Sequence, residues 1–92
     1  MTARELARQY GVPIRVADLG DWGEHELRSE YDPALPEIRV HLRLAPELVA
    51  FAIGHELYHH LEAIGEVSML PTRAAREAAA DAYARELTAP EG

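Results

Sequence analysis

The segment from Pro46 to Gly65 constrains this chain more than any other. It has no proline after its first residue, and Leu48, Ile53, Leu57, Leu61 and Ile64 recur at helical spacing, so one stripe of a long helix must be covered by something. Pro46 suits the first helical position, where a missing N–H costs nothing, and Glu47 suits the positive end of the helix dipole. Gly65 predicts the stop. Gly54 stands out in the interior, where glycine costs about 1 kcal/mol relative to alanine. It predicts a close approach by another backbone or by a ligand. A last helix is read from Arg73 to about Leu87, capped by Thr72, rich in alanine and closed by Pro90.

The first half reads differently. Thr2 with Glu5 three residues later has the form of a capping box for a short helix through Leu6 and Tyr10, ended by Gly11 and Pro13. Residues 13–17 alternate apolar and polar, as a strand with one wet face does, and residues 37–42 alternate again. Between them residues 18–24 read as a turn, residues 25–31 as a weaker strand, and residues 32–36 as a turn with two prolines. Short connections predict a sheet that is antiparallel in part. The expectation is one α+β unit over residues 1–92: a small three-stranded sheet packed on the long helix and a C-terminal helix, since 92 residues are too few for two cores.

Composition narrows the function classes. Apolar residues at 48% and charged residues at 27% are globular values. With no cysteine there is neither a disulfide nor a thiolate metal site. All nine basic residues are arginine and sixteen residues are acidic, for a net charge of −7, the wrong sign for a protein whose main partner is a nucleic-acid backbone. No apolar run reaches the roughly 20 residues of a membrane span. The first residues lack a signal-peptide pattern, so the expectation is a soluble cytoplasmic protein.

The long helix carries His55-Glu56-Leu57-Tyr58-His59, an H-E-x-x-H pattern. Residues four apart share a helix face, so both imidazoles can meet one Zn²⁺, while Glu56 on the flank can take a proton from a water held there without occupying the metal. The bland alternative is a pair of surface histidines. A third ligand is needed. A metzincin pattern would want glycine at position 62 and histidine at position 65, where this chain has Glu62 and Gly65. Glu62 and Glu66 fall near the histidine face, but one straight helix cannot close a tetrahedron, so both are read as solvated or at most as partners of a ligand. Glu77 on the last helix is the better candidate. Asp81 follows it on the same face, and such an E-x-x-x-D pair serves gluzincin-type sites, the glutamate as ligand and the aspartate holding a ligand histidine by its second nitrogen. The alternative for Glu77 is an exposed glutamate paired with Arg73 or Arg85.

Residues Ile53-Gly54-His55-Glu56-Leu57-Tyr58-His59-His60-Leu61 resemble the active-site helix of the ImmA/IrrE family of metallo-endopeptidases. Glu77-Ala78-Ala79-Ala80-Asp81-Ala82-Tyr83-Ala84 resembles the family's second signature, with Leu87-Thr88-Ala89-Pro90 a partial match beyond it. Ile38-Arg39-Val40-His41 resembles its edge strand, although asparagine is usual where His41 stands, and residues 6–14 are also in character. The resemblance spans nearly the whole chain. It implies a minimal zincin fold, zinc held by His55, His59 and Glu77, Glu56 as general base and Asp81 behind a ligand. It also implies a protein or peptide substrate, often a repressor encoded nearby. The chain ends just after the second signature, carries no fused helix-turn-helix and has a short loop between its signature helices, so a shallow cleft is expected.

For stabilising the oxyanion, Tyr31, Tyr58, Tyr83, His41 and His60 are candidates. Of these, Tyr83 is read as core, Tyr58 as surface, His60 as a partly exposed flank residue and His41 as a possible border of the cleft. His25 is read as incidental, and Trp22 as a loop anchor or a partner contact. Residues 37–42 are the candidate for binding an extended substrate by strand addition, and the acidic balance favours a basic or neutral peptide. A second hypothesis is a zincin-like regulatory or partner-binding module that keeps a metal but has little peptidase activity. Glu56 separates the two, because only the enzyme requires it.

Overall fold

The structure is a computed structural model and describes residues 1–20 and 28–89. Trp22, His25 and Pro90, and with them much of the expected turn and weak strand before Arg28, lie outside the described residues. In chain order the elements are α1 (Ala3–Gln9), β1 (Ile14–Ala17), β2 (Ser29–Asp32), β3 (Glu37–His41), α2 (Pro46–Ala63) and α3 (Arg73–Thr88). This is the expected α+β arrangement of a small sheet and three helices.

The local signals act where expected. The Thr2 hydroxyl accepts from the Glu5 N–H at 3.1 Å, and the Thr72 hydroxyl accepts from the Ala75 N–H at 3.1 Å, so each satisfies a backbone donor that the first helical turn leaves open. Gly65, at φ +78°, follows the end of α2 in the left-handed region that a side chain would disfavour.

The sheet is mixed, in the order β1-β3-β2. β2 and β3 form an antiparallel hairpin whose turn is braced by the Ala34 N–H donating to Asp32 at 2.9 Å. β1 runs parallel to β3, with Ile14 opposite Ile38 and Val16 opposite Val40. This corrects one expectation. β3 is the central strand, hydrogen-bonded on both sides, so residues 37–42 cannot take an added strand; among the described residues the edges belong to β1 and β2. Along β3 the side chains alternate. Ile38 and Val40 are fully buried in the core, and Arg39 stands in a cluster of acids, 2.7 Å from Glu30, 2.6 Å from Glu37 and 3.5 Å from Asp32.

α2 is enclosed on two sides. Ala52, Ile53 and Leu57 join Ala3, Ala7 and Val12 of the first helix and its exit, together with Ile38 and Val40, in one core. α3 covers the opposite side, with Ala80 and Ala84 fully buried. Gly54 shows why alanine and glycine meet there. A Cβ on it would lie 3.1 Å from the Ala84 Cα and 3.2 Å from its Cβ, so the two backbones approach as the sequence expected. The expected single stripe is therefore too narrow. Tyr58, read as surface, is buried against Tyr83, and His60, read as partly exposed, is buried beneath Tyr10 and Tyr31. Ile64 is half exposed, because it lies at the C-cap beyond the enclosed turns. No helix among the described residues is long and apolar enough to cross a membrane.

Candidate metal centre

The antiparallel crossing of α2 and α3 places the chemistry. Counting up α2 and down α3, Gly54 meets Ala84, His55 meets Asp81, both histidines meet Glu77, and Glu62 meets Arg76. The close approach at Gly54 thus sets the depth at which the acids of α3 reach the imidazoles.

His55 and His59 sit one turn apart with ring centroids 5.1 Å apart. The Nε2 of His55 is 2.9 Å from one oxygen of Glu77, and the Nε2 of His59 is 3.4 Å from the other. Each histidine is held from behind by a carboxylate: His55 Nδ1 is 2.7 Å from Asp81, and His59 Nδ1 is 2.7 Å from Glu62. A carboxylate on Nδ1 is the arrangement that orients an imidazole to offer Nε2 to a metal. Both Nε2 atoms face the oxygens of Glu77, and one ligand atom from each of the three residues lies within 4.8 Å of the others. Two imidazole nitrogens and a carboxylate converging in this way suit a shared cation. Bond lengths of about 2.0–2.1 Å to a tetrahedral ion put neighbouring ligands roughly 3.3 Å apart, close to the 2.9 and 3.4 Å between the imidazoles and Glu77. The His-His-Glu group could therefore hold a metal ion.

Glu62 is not a ligand and is not solvated. Its buried carboxylate takes Nε and Nη2 of Arg76 at 3.0 and 3.1 Å as well as the ring of His59. The arginine first, then the imidazole, hold its pKa below the usual carboxylate range against the pull of burial. The first expectation, a solvated Glu62, is therefore corrected, and the lesser alternative of a partner to a ligand is what the contacts show; nothing in the sequence signalled Arg76. Glu66 is exposed and takes no part.

Glu56, the expected base, lies beside the pair on the cleft wall. Burial pushes its carboxyl pKa up, while the hydroxyl of Ser29, donating to it at 2.6 Å, pulls the other way. Ser29 was missed from the sequence. Its role depends on the pairing of β2 with β3, which sets it opposite Val40 and turns it toward α2, and no local pattern encodes that register.

The cleft measures about 1040 Å³ and is walled by β2 on one side and by α3 on the other. Of the five oxyanion candidates only Tyr31 lines it, and its hydroxyl lies 2.7 Å from His60 Nδ1. Tyr58 and Tyr83 pack together, 5.8 Å between ring centroids, outside the lining, and His41 belongs to a different cavity. Arg73 and Arg85, the alternative partners for Glu77, make no ion pair with it. Compared with known protein families, with curated proteins and with solved structures, the chain matches none.

Proposed function

We propose that the protein is a zinc-dependent endopeptidase. One observation carries the reading: two imidazoles backed at Nδ1 by carboxylates and a carboxylate from a second helix converge on one point, with the buried carboxylate of Glu56 beside it in an open cleft. Two nitrogens and one oxygen are a donor set that zinc takes in hydrolytic sites, with a fourth position left open. Bound there, zinc supplies an acidified water and polarises a carbonyl.

The chain's own residues do the rest. Glu56, its pKa raised by burial, accepts a proton in the cleft and returns it to the leaving amine. Ser29 fixes which oxygen of Glu56 is occupied and leaves the other to act. Asp81 and Glu62 hold the imidazoles in orientation. Tyr31 is the one oxyanion candidate that lines the cleft, and its hydroxyl would have to exchange its contact with His60 to serve. The edge strand β2 lies on the cleft wall, so an extended peptide is the substrate shape that fits. The residues at 53–61 and 77–84 support kinship with the ImmA/IrrE endopeptidases, and with it a cytoplasmic setting and a regulatory substrate such as a repressor.

Glu56→Gln tests the reading. Elemental analysis should find zinc unchanged in the variant, and cleavage of an unfolded protein substrate should fall by at least about 100-fold. A variant that binds zinc and cleaves at the wild-type rate removes the peptidase mechanism. A wild-type protein that binds zinc but cleaves neither unfolded proteins nor co-expressed neighbours leaves the binding-module reading in its place.

A further inference from the structure

The metal cleft continues past the ligands on both helices. α2 and α3 run antiparallel, so the residue four after His59 and the residue four before Glu77 lie beyond the centre in the same direction. These are Ala63 and Arg73, each one helical turn, about 6 Å, from its ligand. β2 leads the same way: Ser29 meets Glu56, Tyr31 meets His60, and Pro33 follows. Ala63, Arg73 and Pro33 all line the cleft, and Met69 from the loop before α3 lines it with them. Residues 29–36 and 55–81, which form this end, are all among the described residues.

Most of the charge lining the cleft is already engaged. Glu30 takes the guanidinium of Arg39, Glu56 the hydroxyl of Ser29, Glu77 and Asp81 the imidazoles, and Arg76 is held by Glu62. Arg73 is exposed and has no hydrogen bond or ion pair among the described residues. Local stability does not account for it. Arg73 is the first residue of α3, where the helix dipole favours an acid, and the first turn contains none. The net charge of −7 therefore misdescribes what a substrate meets here: an arginine free to pair, at the end of the cleft that Ala63, Pro33 and the flexible thioether of Met69 make apolar. A side chain that suits both is a short apolar stem ending in a carboxylate. An extended peptide advances about 3.3 Å per residue, so one helical turn spans about two of its residues. We propose that this end of the cleft is a subsite selecting an acidic side chain, glutamate foremost, within about two residues of the bond that is cut. The inference rests on the peptidase reading and names its substrate class.

The test is cleavage by the zinc-loaded full chain of peptides capped at both ends, so that only a side chain can bring the carboxylate. Glutamate, glutamine or lysine is placed in turn at each position near the bond cut, and kcat/KM is followed by mass spectrometry. At one position glutamate should be favoured over its isostere glutamine about fivefold, as an exposed ion pair allows, and lysine should be the poorest. Arg73→Lys should keep most of that ratio, Arg73→Gln should bring it to one, and Arg73→Glu should favour lysine. Each ratio is internal to one variant, so a change in its zinc content or stability cancels. Arg85→Gln removes the same charge from α3 outside the cleft lining and should leave the ratio as in the wild type. A wild type that cleaves the glutamate and glutamine peptides alike at every position, or an Arg73→Gln variant that keeps the wild-type ratio, overturns the inference and leaves the peptidase reading in place. A zinc-loaded wild type that cleaves none of the peptides overturns both.

Discussion

α2 and α3 supply the same centre but are held in place by opposite means. Ten of the 18 residues of α2 are buried, and it is enclosed by the sheet and α1 on one side and by α3 on the other. Only Ala80 and Ala84 of the 16 residues of α3 are buried, and it meets the rest through a close approach of small residues, the half-buried Tyr83 and Leu87, and acid–base pairs. Burying an alanine contributes little compared with burying a leucine. The two histidines therefore ride on a helix enclosed by the core, whereas Glu77 and Asp81 ride on one with far less apolar burial. A ligand shared between them ties the weakly held helix to the strongly held one.

Metal should produce the largest effect. Zinc at a thousand times its dissociation constant stabilises by about 4 kcal/mol, and a domain this size gains roughly 4–8 °C in melting temperature per kcal/mol. Zinc-loaded protein should thus melt more than about 10 °C above chelated protein. Hydrogen exchange should locate the difference in α3 rather than α2. Uniform loss of protection in both helices would break the comparison.

Gly54→Val comes next. Its branches would be driven into the Ala84 backbone, and overpacking of this kind costs about 1–3 kcal/mol. Because it levers α3 away, zinc affinity should fall along with the melting temperature. A melting change without an affinity change would show that the depth of the helix crossing does not set the position of Glu77.

Asp81→Ala removes only the hold on His55 Nδ1 and should weaken zinc by about 10–100-fold, with the zinc-free melting temperature nearly unchanged. Arg76→Gln is smaller again, about 1 kcal/mol, since that arginine is a third exposed. Its sign with pH is definite. The lowered pKa of Glu62 gives stability that is present above the ordinary carboxylate range and lost as pH falls through the folded value. Without Arg76 that value rises, so acid unfolding, followed by circular dichroism, should begin at a higher pH. Ala82→Glu, on the exposed face of α3, should stay within about 0.5 kcal/mol of wild type.

What could be read from the chain follows the range of each interaction. The caps at Thr2 and Thr72, the stop at Gly65 and the glycine contact at Gly54 depend on neighbours in sequence or on the bare absence of a side chain, and all were legible. So were the residues that the structure brings together at the centre, because helical spacing alone puts His55 with His59 and Glu77 with Asp81. The central position of β3 and the contact of Ser29 with Glu56 depend on how strands are ordered and registered, which local alternation does not encode. Tyr58 and His60 were misjudged for a related reason. A stripe of aliphatic residues marks one covered side of a helix, but a second covered side can be made of aromatics and a histidine that satisfy one another, as His60 does with Tyr31.

Glu62 joins these themes in one side chain. It steadies the imidazole of His59 and receives the guanidinium of Arg76 from the neighbouring helix. Aligning the histidine and seating the helix that brings Glu77 are in consequence a single event. Should α3 lift away, the histidine on the rigid helix loses its alignment too, so the centre assembles and comes apart as a whole.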